Sequence, residues 1–200
     1  MTKKCDYKDC GCHRFGIPLS HFSEKYSIAW YSNPKAASSS LKRLLKILKP
    51  TGKTFINSFG SFGFERIHPI PEGIDSFAFV RNPWDRMVSN YEMFKKRPPN
   101  YSEGLTFDEW LKKIKDKKII NHHWANQTLF VPSHVKSFKI EEDLEQALDW
   151  LNARLPIDES LMTLNKTDHQ PYQEYYTKEL IELVGDLFAE DIDTFGYRFS

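Results

Sequence analysis

The stretch SIAWYSNPKAASSSLKRLL, residues 27–45, decides the fold. Its first six residues are a short apolar and aromatic run of the kind that forms a buried strand. Beyond them Leu41, Leu44, Leu45 and Leu48 recur at the i, i+3, i+4, i+7 spacing of one helix face, while Lys42, Lys46 and Lys49 fall off that face. Lys35 and the serines Ser38, Ser39 and Ser40 therefore occupy a strand-to-helix turn. N–H groups at a helix start have no partner in the helical ladder, and the helix dipole adds partial positive charge there, so such a turn suits an anion. Lys35 supplies a mobile full charge and the serines supply hydroxyl donors. The nucleotide-triphosphate loop G-x-x-x-x-G-K-[ST] is a poor template, because here the lysine precedes the small residues and neither glycine is present. Considered alone, a plain helix cap accounts for the serines equally well.

A second turn of the same construction changes that balance. DSFAFV, residues 75–80, reads as another buried strand and ends at Arg81. RNPWDRMVSNYEMF, residues 81–94, opens a helix with Asn82 as cap, Pro83 at the first helical position and Asp85 complementing the dipole. Trp84, Met87, Val88 and Tyr91 make its apolar stripe and leave Ser89 on a different face. Arg81 and Ser89, eight positions apart, offer a guanidinium and a hydroxyl of the kind a terminal phosphate needs. Two cations at two strand-to-helix turns describe a site for a molecule with more than one anionic group.

Between these turns SFGSFGFERIHPIPEG, residues 58–73, reads as an irregular connection, long enough to be functional. Its Phe59, Phe62 and Phe64 suit either an acceptor pocket or the core. Downstream, TFDE (106–109) is a capping box for a helix that buries Phe107, Trp110, Leu111 and Ile114. VKSFKI reads as a strand, and helices follow through Leu144, Ala147, Leu148 and Leu151 and through Leu180, Leu183, Val184 and Leu187, ahead of a tail DIDTFGYRFS. Alternating strands and helices imply an α/β layer structure with a mostly parallel sheet, whose ligands sit at the carboxyl ends of the strands.

The 200 residues, 40% of them hydrophobic, suit one compact domain over 21–200 preceded by an arm, 1–20. A net charge of +1 provides no global field for nucleic acid or an anionic membrane, so neither is expected as a partner. No run has the length of a membrane span and the first residues lack a secretory apolar stretch, which reads as cytoplasmic. Cys5, Cys10, Cys12 and His13 could form a tetrahedral zinc site, but the spacing is not that of paired C-x-x-C knuckles, and reduced thiols on a loosely held arm are the plainer reading. No metal is therefore assigned.

NPKAASSSL resembles the 5′-phosphosulfate loop of sulfotransferases, and FVRNPWDRMVSNY resembles their 3′-phosphate motif. HHWANQ, SFKIEEDL and YYTKELIELVGDLFAEDIDTFGYRF are similar to the carbohydrate sulfotransferase type and its soluble bacterial relatives, so the resemblance covers most of residues 28–199. It implies a P-loop-like three-layer α/β fold with a central mostly parallel sheet flanked by helices. It also implies sulfuryl transfer from 3′-phosphoadenosine 5′-phosphosulfate (PAPS) to a hydroxyl or amine, with adenosine 3′,5′-bisphosphate as product and a carbohydrate as the expected acceptor. By the same resemblance Lys35 contacts the 5′-phosphate and bridging oxygen, Ala36, Ala37, Ser38, Ser39 and Ser40 complete the cradle, Arg81 and Ser89 hold the 3′-phosphate, and Lys166 and Thr167 in LNKTD lie near it. Ala37 stands where the cytosolic enzymes' loop has glycine, a departure that bears on the backbone path.

A general base for the acceptor is sought among His68, Glu65, His122 and His123; His68 is favoured, because related enzymes place the base between the two phosphate motifs. Two alternatives compete with the transferase: a metal-dependent nucleotide kinase, disfavoured by the lysine order and missing glycines, and a non-catalytic nucleotide-binding module.

Overall fold

Among the described residues five short strands make one sheet in the order β3-β1-β2-β4-β5: β1 (Leu19–Ser23), β2 (Ile28–Ser32), β3 (Phe64–Arg66), β4 (Asp75–Val80) and β5 (Lys136–Lys139). The structure, a computed structural model, describes residues 19–45, 62–66, 69–96, 101–118, 121–157 and 170–200, less the side chains of Leu19, Arg43, Glu65 and Arg66. β2 pairs parallel with β4 and β4 with β5, whereas β1 runs antiparallel to both β2 and β3. β1 is thus the one reversed strand among those described, and the sheet is mostly parallel, as the alternation of strands and helices implies.

By internal contacts the chain divides into two compact units, one of Gly16–Val80 with Leu129–Asn165 and one including Arg81–Thr128 and Lys166–Ser200. The sheet lies in the first, with α1 (Ser38–Leu44) and α4 (Leu144–Asn152). Side chains alternate along a strand, so Ile28 and Trp30, Phe77 and Phe79, and Phe138 share a face, and they cluster with Leu41, Leu44, Leu45, Ala147 and Leu151. Each such large apolar side chain contributes about 1.5–3 kcal/mol on burial. The opposite-face residues Ala29, Tyr31, Ala78 and Val80 are buried too, the pattern of central strands in an α/β sheet. Phe62 and Phe64 belong to this core, which settles their two readings; Phe59 and Leu48 lie outside the described residues.

The second unit is helical: α2 (Pro83–Lys96), α3 (Phe107–Lys115), α5 (Lys178–Leu187) and α6 (Ala189–Phe195). The capping box of α3 forms in full, with Phe107, Trp110, Leu111 and Ile114 buried beneath it. Aromatic edges pack around α2, for example Tyr91 on Phe107 at 5.2 Å and Trp110 on Trp124 at 5.5 Å between ring centroids. α2 is buried far beyond one stripe: Arg86, Ser89, Asn90 and Glu92 are covered as well as the apolar residues, because α3, α5 and two 3-10 turns pack around it.

Three elements were not apparent in the sequence. β1 begins at Leu19 and β3 spans only FER, too few residues for a period to show. The tail DIDTFGYRFS, to which no element is assigned from the sequence, overlaps α6, whose AEDIDTF carries too few apolar positions to mark a face. Among the described residues no helix is long and apolar enough to cross a membrane.

Candidate active site

β2 and β4 are parallel neighbours, but the chain leaves β2 for β3 toward one side of the sheet and leaves β4 for β5 toward the other. Their carboxyl ends therefore flank a topological switch point, the place where open α/β sheets hold ligands. Asn33, which follows β2 and is 1% exposed, spans it by donating from Nδ2 to the Phe79 carbonyl at 3.0 Å.

The turn from Asn33 into α1 has an unusual backbone. Lys35 and Ala37 both adopt positive φ, 67° and 55°, and Ala36 between them does not. A side chain in the left-handed region costs about 1–2 kcal/mol per residue, and such strain concentrates at binding sites. Alternation of hand along three residues gathers successive N–H groups into a concavity suited to an anion. The Asn33 carbonyl holds the turn from inside, accepting from the Ala36 N–H at 3.3 Å and from the Ser38 hydroxyl at 2.5 Å. The Ser38 hydroxyl hydrogen is thus engaged within the turn, which leaves its backbone N–H as its means of meeting an anion. The first helical bond runs from the Leu41 N–H to Ala37 at 2.9 Å, so the N–H groups of Ser38 and Ser39 precede the ladder. α1 has no acidic residue in its first turn to compete with an incoming anion. The structure thereby gathers Lys35, Ala36, Ala37, Ser38, Ser39 and Ser40 into one turn.

Arg81 directly follows β4 and sits in the other unit with Ser89. Asn82 caps α2 as its sequence implies, its Oδ1 accepting from the Trp84 N–H at 3.0 Å. Asp85 does more than complement the dipole: its Oδ2 accepts from Arg81 Nε at 2.8 Å, with the two side chains only 14% and 17% exposed. That bond fixes the guanidinium plane. Ser89, on the second turn of α2, is 1% exposed.

A buried polar network not signalled by the sequence lies behind Arg81. The Gln127 side chain accepts from the Arg81 N–H and donates to the Arg81 carbonyl, both at 2.9 Å. Asp191 Oδ1 in turn accepts from the N–H groups of Gln127 at 2.7 Å and Thr128 at 3.1 Å. Asp191 faces Arg86 at 3.8 Å in a pair 0% and 1% exposed, and Arg86 also donates to the Ala125 carbonyl at 2.8 Å. Burial raises the Asp191 carboxyl above its usual range and lowers Arg86 to about 10, each opposed by the partner's charge. A lone Gln in HHWANQ and an Asp in a tail have no periodic signature, so only their meeting in space exposes them.

Of the candidate bases, His123 is the best defined. Asn121 Oδ1 accepts from the His123 N–H at 3.0 Å and lies 2.7 Å from its Nδ1. A carbonyl oxygen accepts and never donates, so Nδ1 carries the proton and the neutral ring keeps its lone pair on Nε2. His123 is also tied to α2, where Asn90 donates to its carbonyl at 2.9 Å and Phe94 meets its ring edge-on at 5.4 Å. The His122 ring lies tilted against it, 3.9 Å between ring centroids. His68, Lys166, Thr167, Cys5, Cys10, Cys12, His13 and the Glu65 side chain lie outside the described residues.

The fold is α/β, a mostly parallel sheet with a lysine on a left-handed turn at the carboxyl edge of its strands. A sequence model of the sulfotransferase family matches residues 20–198, and the chain belongs to that family. Sulfuryl transfer is accordingly its chemistry in general terms. No curated protein and no solved structure matches it.

Proposed function

We propose that the protein transfers a sulfuryl group from PAPS to a hydroxyl or amine acceptor, a carbohydrate by its resemblance to that branch of the family. The observation that carries the reading is the turn after β2, where a lysine and two alanines hold an alternating left-handed path that shapes an anion cradle. Lys35 takes the 5′-phosphate and the bridging oxygen, with the backbone from Ala36 to Ser40 around them. Arg81 and Ser89 take the 3′-phosphate, assisted by Lys166 and Thr167. Transfer of this kind depends mainly on in-line placement and on stabilising charge as it develops. As the acceptor oxygen or nitrogen bonds to sulfur, the bond from sulfur to the bridging oxygen breaks, and Lys35 meets the charge left on that oxygen. The acceptor proton goes to a base, His68 in this reading, with His123 carrying the appropriate lone pair should His68 prove dispensable.

Calorimetric titration with adenosine 3′,5′-bisphosphate, 5′-AMP and ATP in the absence of magnesium tests the reading. Clear preference for the bisphosphate is expected. Affinity for it equal to that for 5′-AMP sinks the two-phosphate site, and magnesium-dependent ATP turnover would favour a kinase instead.

A further inference from the structure

The network behind Arg81 has no counterpart in the assigned site, and it is aimed at one residue. Gln127 is 0% exposed, and both ends of its amide are committed to the Arg81 backbone, one accepting and one donating. A buried amide satisfied reciprocally in this way fixes position more tightly than a single bond, because losing it strands buried donors and acceptors. Gln127 is itself anchored through its own N–H to Asp191, which is held opposite Arg86. On the far side Asp85 fixes Arg81 through Nε. Backbone and side chain of one arginine are thus immobilised by separate partners, all within one unit. A structural pin alone would need no such convergence, since Asn82 already caps α2 and starts the helix.

We propose that Gln127 is a positioning residue for Arg81, and that the Gln127–Asp191 relay sets how strongly the protein distinguishes a nucleotide bearing a 3′-phosphate from one without it. The proposal rests on the assignment of Arg81 to that phosphate. Gln127 touches no ligand in this scheme; it acts by holding the guanidinium where two contacts form at once.

The test is the ratio of affinities for adenosine 3′,5′-bisphosphate and 5′-AMP, measured by calorimetry on the full chain. Gln127→Met keeps the volume and removes both bonds to Arg81. The ratio should fall by about tenfold or more through weaker bisphosphate binding, with 5′-AMP affinity little changed. General destabilisation would weaken both ligands together. Gln127→Glu adds a readout that a purely structural role would not give. Protonated, its carboxyl reproduces both bonds; ionised, it keeps only the one from the Arg81 N–H. Its ratio should therefore match wild type at low pH and fall as pH rises, relative to wild type at each pH. If Gln127→Met does not fold, this pH dependence decides alone. A wild-type ratio near one would overturn the assignment of Arg81 and this inference with it. A large wild-type ratio that survives Gln127→Met, or a Gln127→Glu ratio that follows wild type at every pH, would overturn the inference and leave the assignment standing.

Discussion

The turns after β2 and β4 are built to one plan, strand then cation then helix, yet they solve it in opposite ways. After β2 the backbone itself is bent into the required shape, with Lys35 and Ala37 left-handed and no carboxylate in the first turn of α1. After β4 none of the described residues from Arg81 to Lys96 has positive φ; Asn82 and Pro83 start α2 in ordinary fashion, and side chains hold Arg81. One turn has a strained backbone pinned through the Asn33 carbonyl, and the other an unstrained backbone held by side chains. The difference suits the proposed ligands: N–H groups must converge on a 5′-phosphosulfate, whereas a 3′-phosphate needs one well-aimed guanidinium.

The largest effect expected is at the strained turn. Lys35→Ala should lower transfer by at least about a hundredfold, because the leaving oxygen loses its countercharge when charge develops on it. Titration should also show weaker binding of both 5′-AMP and the bisphosphate. Retention of full activity would contradict the mechanism. Arg81→Ala comes next and should separate the two turns. Loss of a charge-assisted contact of about 1.5–3 kcal/mol corresponds to about ten- to a hundredfold in bisphosphate affinity, with 5′-AMP unaffected. Equal weakening of both ligands would mean that Arg81 supports the fold and does not select the phosphate.

What the sequence made legible follows the same division. The strand-to-helix handover at 27–45, the Asn-Pro start of α2 and the capping box of α3 are local patterns, and the structure has all three. The positive φ of Ala37 was foreshadowed by alanine at a family glycine, but alanine alone does not announce a left-handed residue. Gln127, Asp191 and Asn33 were illegible as functional groups, because their roles arise from partners 46, 64 and 46 positions away. The burial of Ser89 was missed for a related reason: a single apolar stripe predicts one covered face, and α2 is surrounded.

A smaller effect probes the hydrogen-bonded turn through pH. The Tyr176 hydroxyl donates to the Trp84 carbonyl at 2.9 Å, in the first turn of α2, and burial raises its pKa well above 10.0, with Asp85 adding to the shift. Unfolded, the phenol ionises near its ordinary value of about 10. Its contribution to stability is therefore complete below about pH 10 and lost as pH climbs above it. Tyr176→Phe should cost about 1 kcal/mol near neutrality, and that deficit should shrink above pH 10. Arg86, lowered to about 10, has the opposite pH dependence, but it is common to both proteins and cancels in the comparison. Thermal unfolding of the pair from pH 7 to 11 measures this, and a constant difference would refute it.

The smallest effect goes to the heart of the contrast between strain and bonding. Ala37 is left-handed at φ 55°, where glycine carries no steric penalty of about 1–2 kcal/mol but loses about 0.5–1 kcal/mol more in chain entropy on folding. Ala37→Gly should therefore stabilise the protein by about 0.75 kcal/mol at mid-range, a rise of about 1.5–3 °C in Tm. Ala36→Gly, one residue away, 1% exposed and without positive φ, should destabilise it, because no strain is relieved and a packed methyl is lost. Opposite signs at adjacent alanines would establish that the strain is local to the left-handed positions. Titration of Ala37→Gly then asks what the strain is for. If alanine limits the turn to its ligand-ready path, the glycine variant should be more stable and yet bind the bisphosphate slightly more weakly, since a freer loop must be ordered on binding. Gain in both stability and affinity would mean that the left-handed alanine is a tolerated cost and that the Asn33 bonds alone hold the cradle in shape.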